Sequence, residues 1–230
     1  MKQSLTETVI QKLKVSILSG EYPVGEKLPT LRELAELFDV SRSVINAAVV
    51  DLSTNGYINI VPTKWIEVAD WKHDGNLTIF SDLVSLGLID GKELSDLLEA
   101  RKFLELECVR KACRNATPED LGKMKLILLE EELEHDAKHR SKYDLQFHNL
   151  ICRMSGNMVY GFVMKAFEDS GAPLIELFYE DQEVYDFVLD KHKAIACAIE
   201  EQNETKAEQQ MRLLLEHGET IMQKTLQRRN

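Results

Sequence analysis

Apolar side chains recur every three to four residues along nearly all of this 230-residue chain, and a two-residue alternation appears in one place only. The two patterns exclude each other locally, because side chains return to one face about every 3.6 residues in a helix and every second residue in a strand. The alternating runs are Tyr57 to Val61 and Trp65 to Val68, separated by the turn residues Pro62-Thr63-Lys64, and they read as a β-hairpin. From about residue 77 onward no convincing strand pattern occurs. The expected fold is therefore mainly α: an N-terminal set of helices with a two-stranded β-hairpin, followed by an all-α helical bundle.

The N-terminal helices carry their own start and stop residues. Leu5, Val9, Leu13 and Ile17 form the stripe of the first, and Gly20 ends it. Pro23, Gly25 and Pro29 mark a turn. Thr30 and Glu33 have capping-box spacing at the start of a second helix, whose apolar side is Leu31, Leu34, Ala35 and Phe38. Asp39-Val40 turns the chain, and Ser41 is suited to cap a third helix. That helix is read as facing its core with Val44, Ala47, Ala48 and Leu52, and Asn55-Gly56 ends it. Residues 1–69 are read as one domain, 70–76 as a linker and 77–230 as a second domain. Helical patterns in the second part run from Leu77 to Leu86, Asp90 to Cys113, Pro118 to about His139, Lys142 to Met154, Asn157 to Tyr179, Glu183 to Gln202 and Glu204 to Leu226. Pro173 is expected to kink or break its helix.

Composition narrows the function. No apolar run approaches the roughly 18 to 20 residues of a membrane span, and the first residues lack the apolar core of a secretory signal, so a cytoplasmic location without membrane attachment is expected. Cys108, Cys113, Cys152 and Cys197 form no C-x-x-C pair and read as buried, reduced thiols. The net charge of −11 argues against a non-specific nucleic-acid coat. Residues 1–70 hold seven Lys or Arg against nine Asp or Glu, so any DNA binding must rest on a few placed side chains.

Helix, helix, short turn, helix and hairpin is the order of a winged helix-turn-helix. The third helix would enter the major groove with its N-terminal residues against base edges. Ser41, Arg42, Ser43 and Asn46 occupy those positions. Arg42 suits guanine or phosphate, and Asn46 suits adenine. Arg32, near the start of the second helix, is placed for a phosphate, and Lys64 at the hairpin tip for a phosphate or the minor groove.

The runs Leu28-Pro29-Thr30-Leu31-Arg32-Glu33-Leu34-Ala35, Val40-Ser41-Arg42-Ser43-Val44 and Leu52-Ser53-Thr54-Asn55-Gly56-Tyr57-Ile58 resemble the N-terminal domain of the GntR family of bacterial transcription regulators. The resemblance implies a homodimer on double-stranded, pseudo-palindromic operator DNA. Two departures stand out. Asn46 replaces the arginine usual in the family, and the hairpin tip Pro62-Thr63-Lys64-Trp65 replaces a glycine-rich wing.

In the second part, Asp144 and His148 are four residues apart on one helix, so their side chains can meet. His192 lies among Ala194, Ile195, Ala198 and Ile199 on a later helix. By themselves these residues fit a helix-surface hydrogen bond and a core histidine as well as they fit a metal site. Glu99-Ala100-Arg101, Leu104-Glu105, Asp144-Leu145-Gln146-Phe147-His148 and Ser155-Gly156-Asn157 resemble the FadR-type effector-binding domain. That resemblance implies a divalent metal, such as zinc, nickel or manganese, on Asp144, His148 and His192, helping to hold a small carboxylate effector. Arg101 and Asn157 are the candidate effector contacts. The last histidine of the pattern falls on Leu214, and His217, one turn on, is the candidate substitute. The segment Val68 to Ile79 resembles the linker of the fatty-acid-responsive FadR regulators, which leaves a metal-free acyl-CoA effector as the alternative. A metal-dependent enzyme built on Asp144, His148 and His192 is a remote one, because no nucleophile–base pair accompanies them.

Overall fold

The computed structural model describes residues 4–62, 64–179 and 182–227. The chain divides into two compact units, Met1–Leu88 and Ile89–Asn230. No helix among the described residues is long and apolar enough to cross a membrane.

The first unit begins with α1 (Leu5–Leu18), α2 (Leu31–Phe38) and α3 (Arg42–Thr54). Capping boxes open α1 (Ser4 with Glu7) and α2 (Thr30 with Glu33), each satisfying two backbone N–H groups that a helix start leaves unpaired. Asp39 closes α2 in the left-handed conformation, φ 51°, which bends the chain sharply enough for α3 to start three residues later. The buried face of α3 is Ile45, Ala48, Val49 and Leu52. This corrects the expected face: Ala47 is exposed and points away with Asn46 and Val50, because the i, i+3, i+4, i+7 spacing starts at Ile45 and not at Val44.

The strands β1 (Ile58–Val61) and β2 (Trp65–Val68) pair antiparallel, with Ile58 opposite Val68 and Val61 opposite Trp65. Thr63, at the expected turn, lies outside the described residues. Gly56 precedes the hairpin at φ 82°, and a Cβ there would sit 2.9 Å from the Cα of Gly75. Only glycine allows both the conformation and that approach.

Residues 70–76 are not a free linker: they contain a short helix, α4 (Trp71–Asp74), and are packed at Gly75 against Gly56. The next helix, α5 (Thr78–Ser85), belongs to the first unit, although its sequence position suggested the second. Asp82 of α5 accepts hydrogen bonds from the Tyr57 hydroxyl and from Lys14 Nζ (2.7 Å), tying α5 to the base of β1 and to α1. Burial, then the Asp82 hydrogen bond, holds the Tyr57 phenol above its usual pKa.

The second unit is all helical: α6 (Gly91–Asn115), α7 (Pro118–Leu133), α8 (Ala137–Met154), α9 (Met158–Phe178), α10 (Gln182–Glu200) and α11 (Glu204–Gln227). One boundary differs from the sequence reading. The pattern from Pro118 to His139 is broken at 134–136, because Asp136 caps α8 by accepting from His139 N while Glu134 Oε1 accepts from the N–H groups of His135 and Asp136. The helix α9 covers the expected span and runs through Pro173 without ending, so the break that the proline suggested is absent. Cys108, Cys113 and Cys152 are buried as expected. Cys197 is exposed, its thiol directed to Glu201 Oε1 at 3.2 Å.

Both tryptophans, Trp65 and Trp71, lie in the first unit, so their fluorescence reports its unfolding. Tyr57→Phe removes one buried donor from Asp82 and is expected to destabilise this unit by about 0.5–1.5 kcal/mol. Urea unfolding followed by tryptophan emission checks this. An unchanged midpoint would mean that Asp82 is held by Lys14 alone.

Candidate functional site

Two sites are described, one in each unit. In the first, Arg32 of α2, Arg42 and Asn46 of α3 and Lys64 of the hairpin line one groove of about 450 Å³, together with Thr30, Val49, Ile60 and Trp65. All four predicted side chains are exposed. Arg32 Nε donates to Glu36 Oε1 at 2.9 Å, a pair open to solvent that a phosphate can replace at little cost. Ser41 caps α3 through its hydroxyl, which also shares a 2.8 Å hydrogen bond with the Ser43 hydroxyl. The two serines stand exposed at the N-terminus of α3 but do not line the groove. The groove thus presents three cations and one amide, with the two exposed serine hydroxyls at the α3 N-terminus nearby in sequence, a set suited to phosphates and base edges.

In the second unit, charged groups meet in the core. Asp144 and His148 lie one turn apart on α8 and His192 comes from α10, all three buried. Asp144 Oδ1 is 3.6 Å from His148 Nε2 and 3.5 Å from His192 Nε2, and one ligand atom from each residue lies within 4.8 Å of the other two. The opposite nitrogen of each ring meets a buried carboxylate. His148 Nδ1 bonds to Glu105 of α6, and His192 Nδ1 lies 3.0 Å from both oxygens of Glu131 of α7. The Tyr179 hydroxyl donates to Asp144 Oδ1 at 2.8 Å, and the His192 ring stacks on Phe147 with centroids 4.1 Å apart.

The electrostatics follow from burial and pairing. Burial opposes charge on Asp144, but His148 and then His192 outweigh it and hold the carboxyl well below its usual range. Burial likewise opposes charge on Glu105, and His148 and Arg101 overcome it, so its pKa is also lowered. Burial disfavours the His192 imidazolium, yet Glu131 and Asp144 raise its pKa to about 9, and Glu105 with Asp144 raises that of His148. Arg101 Nε donates to Glu105 Oε1 at 2.6 Å. Burial works against its charge, but Glu105 and Asp144 more than offset this.

These residues fit a divalent cation. Among the described residues, buried His192 Nε2 has no well-formed hydrogen bond, Asp144 Oδ1 lying 3.5 Å away, which is costly for a polar atom unless something else meets it. Each imidazole presents Nε2 toward Asp144 and fixes Nδ1 on a carboxylate, the arrangement that orients histidine ligands in metal sites. One carboxylate and two imidazoles suit zinc, nickel or manganese. A cavity of about 40 Å³ adjoins the cluster, lined by Arg101, Asp144 and His148 and walled by Leu98, Val188 and Leu214 among others. It has room for a few water-sized groups.

Comparison with known proteins decides the family. Residues 5–68 match the gntR family of bacterial regulatory proteins, and residues 96–217, more than half of the chain, match the FCD domain. The chain is a gntR-family transcription regulator with an FCD domain. It is 26% identical over 198 residues to a fatty acid metabolism regulator protein of Shewanella pealeana, covering 86% of this chain and 82% of that one. It is 27% identical over 212 residues to a uxu operon regulator of Haemophilus influenzae, covering 87% and 75%. The solved structure of Lar, which controls expression of the Listeria monocytogenes agr system, shares the fold, with a TM-score of 0.69 at 18% identity over 98% of this chain and 99% of that one. These similarities are to regulators of transcription and not to enzymes.

Within this gntR-family chain, the remaining predicted residues fall as follows. Leu214 is buried in the cavity wall and offers no donor. His217 stacks on Phe187 with centroids 4.0 Å apart, and it is outside the cluster of Asp144, His148 and His192. Asn157 is away from the cavity lining: its Oδ1 accepts from Val159 N at the start of α9. The sequence reading gave no role to Glu105, Glu131 or Tyr179, although Glu105 belongs to a motif that carries the FadR-type resemblance. A signal was present for Glu105, which falls on the buried stripe of α6 with Leu97, Leu104 and Cys108. Glu131 continues the stripe of Met124 and Leu128 on α7, but the run Glu130-Glu131-Glu132 disguises it as a solvated face.

A pH dependence follows. The folded-state pKa of His192, about 9, lies above the ordinary histidine value near 6.5, so its stabilising contribution is full below pH 6.5 and is lost as pH rises through about 9. Thermal unfolding of chelator-treated protein, followed by far-ultraviolet circular dichroism, should show a midpoint that falls across that window. His192→Gln should flatten the fall. A midpoint that rises with pH would show that His192 is neutral in the metal-free fold.

Proposed function

We propose that this gntR-family regulator acts in the cytoplasm as a homodimer, binding a pseudo-palindromic operator through Arg32, Ser41, Arg42, Ser43, Asn46 and Lys64. Under this reading, residues 1–69 form the DNA-binding part and the all-helical second unit responds to an effector. Two recognition helices related by twofold symmetry meet half-sites about one DNA turn apart. The convergence of Arg32, Arg42, Asn46 and Lys64 on one groove supports these roles.

The same proposal assigns a divalent metal to Asp144, His148 and His192 and a small carboxylate effector to the adjoining cavity. The observation that carries it is the pair of imidazoles held through Nδ1 by Glu105 and Glu131 with both Nε2 atoms turned to Asp144. When bound, the metal supplies a Lewis-acidic position for an effector oxygen. Arg101 lies beside that space. Its Nε remains on Glu105, and the rest of its guanidinium offers donors for a carboxylate. The small cavity volume and its charged wall favour a compact anion over an acyl chain. The similarity to a fatty acid metabolism regulator keeps a metal-free acyl-CoA as the competing reading.

Two experiments test the proposal. Asn46→Ala should relax base preference at one operator position and cost roughly 1–3 kcal/mol, whereas Arg32→Ala should weaken binding to all sequences and reduce the salt slope by about one. Unchanged preference in Asn46→Ala would remove α3 from the base-reading role. For the metal, Zn²⁺, Ni²⁺ or Mn²⁺ added to chelator-treated protein should raise its unfolding temperature, more strongly near pH 8 than near pH 6 because the ion competes with protons for the imidazoles. His192→Gln should abolish the gain. No shift with any ion, and no metal in freshly purified protein, would transfer the effector assignment to the acyl-CoA reading.

A further inference from the structure

The hairpin carries an arrangement that the helix-turn-helix pattern does not account for. The segment 25–28 runs beside β2 and pairs with it: Gly25 N donates to Val68 O, Val68 N to Glu26 O and Leu28 N to Ile66 O, each at 2.9 Å. Lys27 stands opposite Glu67 in this ladder. Alternation then buries Leu28 and leaves Lys27 exposed. Lys27 Nζ lies 3.9 Å from the centre of the Trp65 ring, and Lys64 Nζ lies 5.6 Å from the same centre. Both are within cation–π range. The indole N–H donates to Glu67 Oε2 at 2.7 Å, which fixes the ring in its own plane.

One aromatic side chain therefore holds two ammonium groups, one from the hairpin and one from the segment before α2. Trp65 and Lys64 also line the groove that contains Arg32, Arg42 and Asn46. Among the described residues neither Lys27 nor Lys64 forms an ion pair with a carboxylate, whereas Arg32 is tied to Glu36. Two ammonium groups without a direct ion pair, gathered beside this groove with Glu67 held on the indole N–H, stand out in a chain of net charge −11 as a place to meet a polyanion. The indole is not available as a wedge between base steps. One ring carries Lys27, its N–H carries Glu67, and insertion would forfeit both.

We infer that Trp65 organises Lys27 and Lys64 into a phosphate-binding platform, so that the hairpin and the segment before α2 grip the DNA backbone instead of probing the minor groove. This rests on the operator-binding reading of the α2–α3 groove and adds Lys27 and Trp65 to its contacts. Lys27 meets the phosphate. Trp65 is a positioning residue that acts through the two lysines. Backbone contacts of this kind contribute affinity and register without sequence preference.

The test uses the full chain, a duplex that it enriches from a random pool, and a scrambled duplex of the same composition. Dissociation constants are measured against salt concentration. Lys27→Ala should lower the magnitude of the salt slope by about one on both duplexes and leave the ratio of the two affinities unchanged. Trp65→Leu should have a similar or larger effect, Trp65→Phe should retain most of the slope, and combining Trp65→Leu with Lys27→Ala should give less than the two losses added. Lys12→Ala removes the same charge from α1 outside the groove and serves as the control, with little change expected. In a Trp71→Phe background Trp65 is the sole tryptophan, and its emission should change as duplex saturates the protein. A slope unaltered by Lys27→Ala, or a changed base preference in that variant, overturns the platform. If Asn46→Ala still alters preference in that case, operator binding by α3 stands without it. Failure to enrich any duplex overturns both.

Discussion

The ion cluster in the core of the second unit constrains everything around it. Glu105, Asp144 and Glu131 are buried carboxyl groups, and burying an ion without a partner costs several kcal/mol. Their partners are Arg101, His148 and His192. The six side chains come from α6, α7, α8 and α10, and Tyr179, directly after α9, hydrogen-bonds to the centre. None of these four helices can shift without separating a buried pair, so the cluster helps to fix their register. With both imidazoles protonated, three positive groups face three negative ones. A divalent cation carries the same charge as the two protons it would replace. The balance that closes the fold is therefore the balance that suits it to a metal.

The DNA-binding end is organised on the opposite principle. Its side chains are exposed, its pairs are screened, and the first 70 residues are slightly acidic. Affinity there depends on geometry: the left-handed Asp39 that sets α3 against α2, the capping boxes that fix helix starts, and the pairing of residues 25–28 with β2. Asp82 extends this rigidity to α5, since its bonds to Tyr57 and Lys14 make the hairpin base, α1 and α5 one body. A weakly charged surface that reads DNA must hold its few cations still. The Trp65 ring and the groove walls do so in this fold.

Much of this was legible in the chain of letters. Helix starts were carried by Thr30 with Glu33 and by Ser41, because a cap is a local contact between residues three apart. The hairpin was carried by a change of period. The elements that were misjudged are those where a local signal was ambiguous. Ala47 and Ile45 differ only in which of two adjacent stripes is longer, and a run of charges concealed both the cap at Asp136 and the buried Glu131.

By itself the sequence determined the mainly α class and the helix-turn-helix with its hairpin, since periodicity and capping are properties of short segments, whereas Asp144, His148 and His192 came together as a set only through the resemblance to the FadR-type domain. Only the tertiary structure decided what those residues face. It placed Glu105 and Glu131 behind the imidazoles, Leu214 in the cavity wall, Asn157 on the cap of α9 and α5 in the first unit. It also placed Lys27 on Trp65, 38 positions further along the chain. The reason is physical: a charge's effect depends on burial and on partners brought from other helices, and neither quantity exists until the chain has folded.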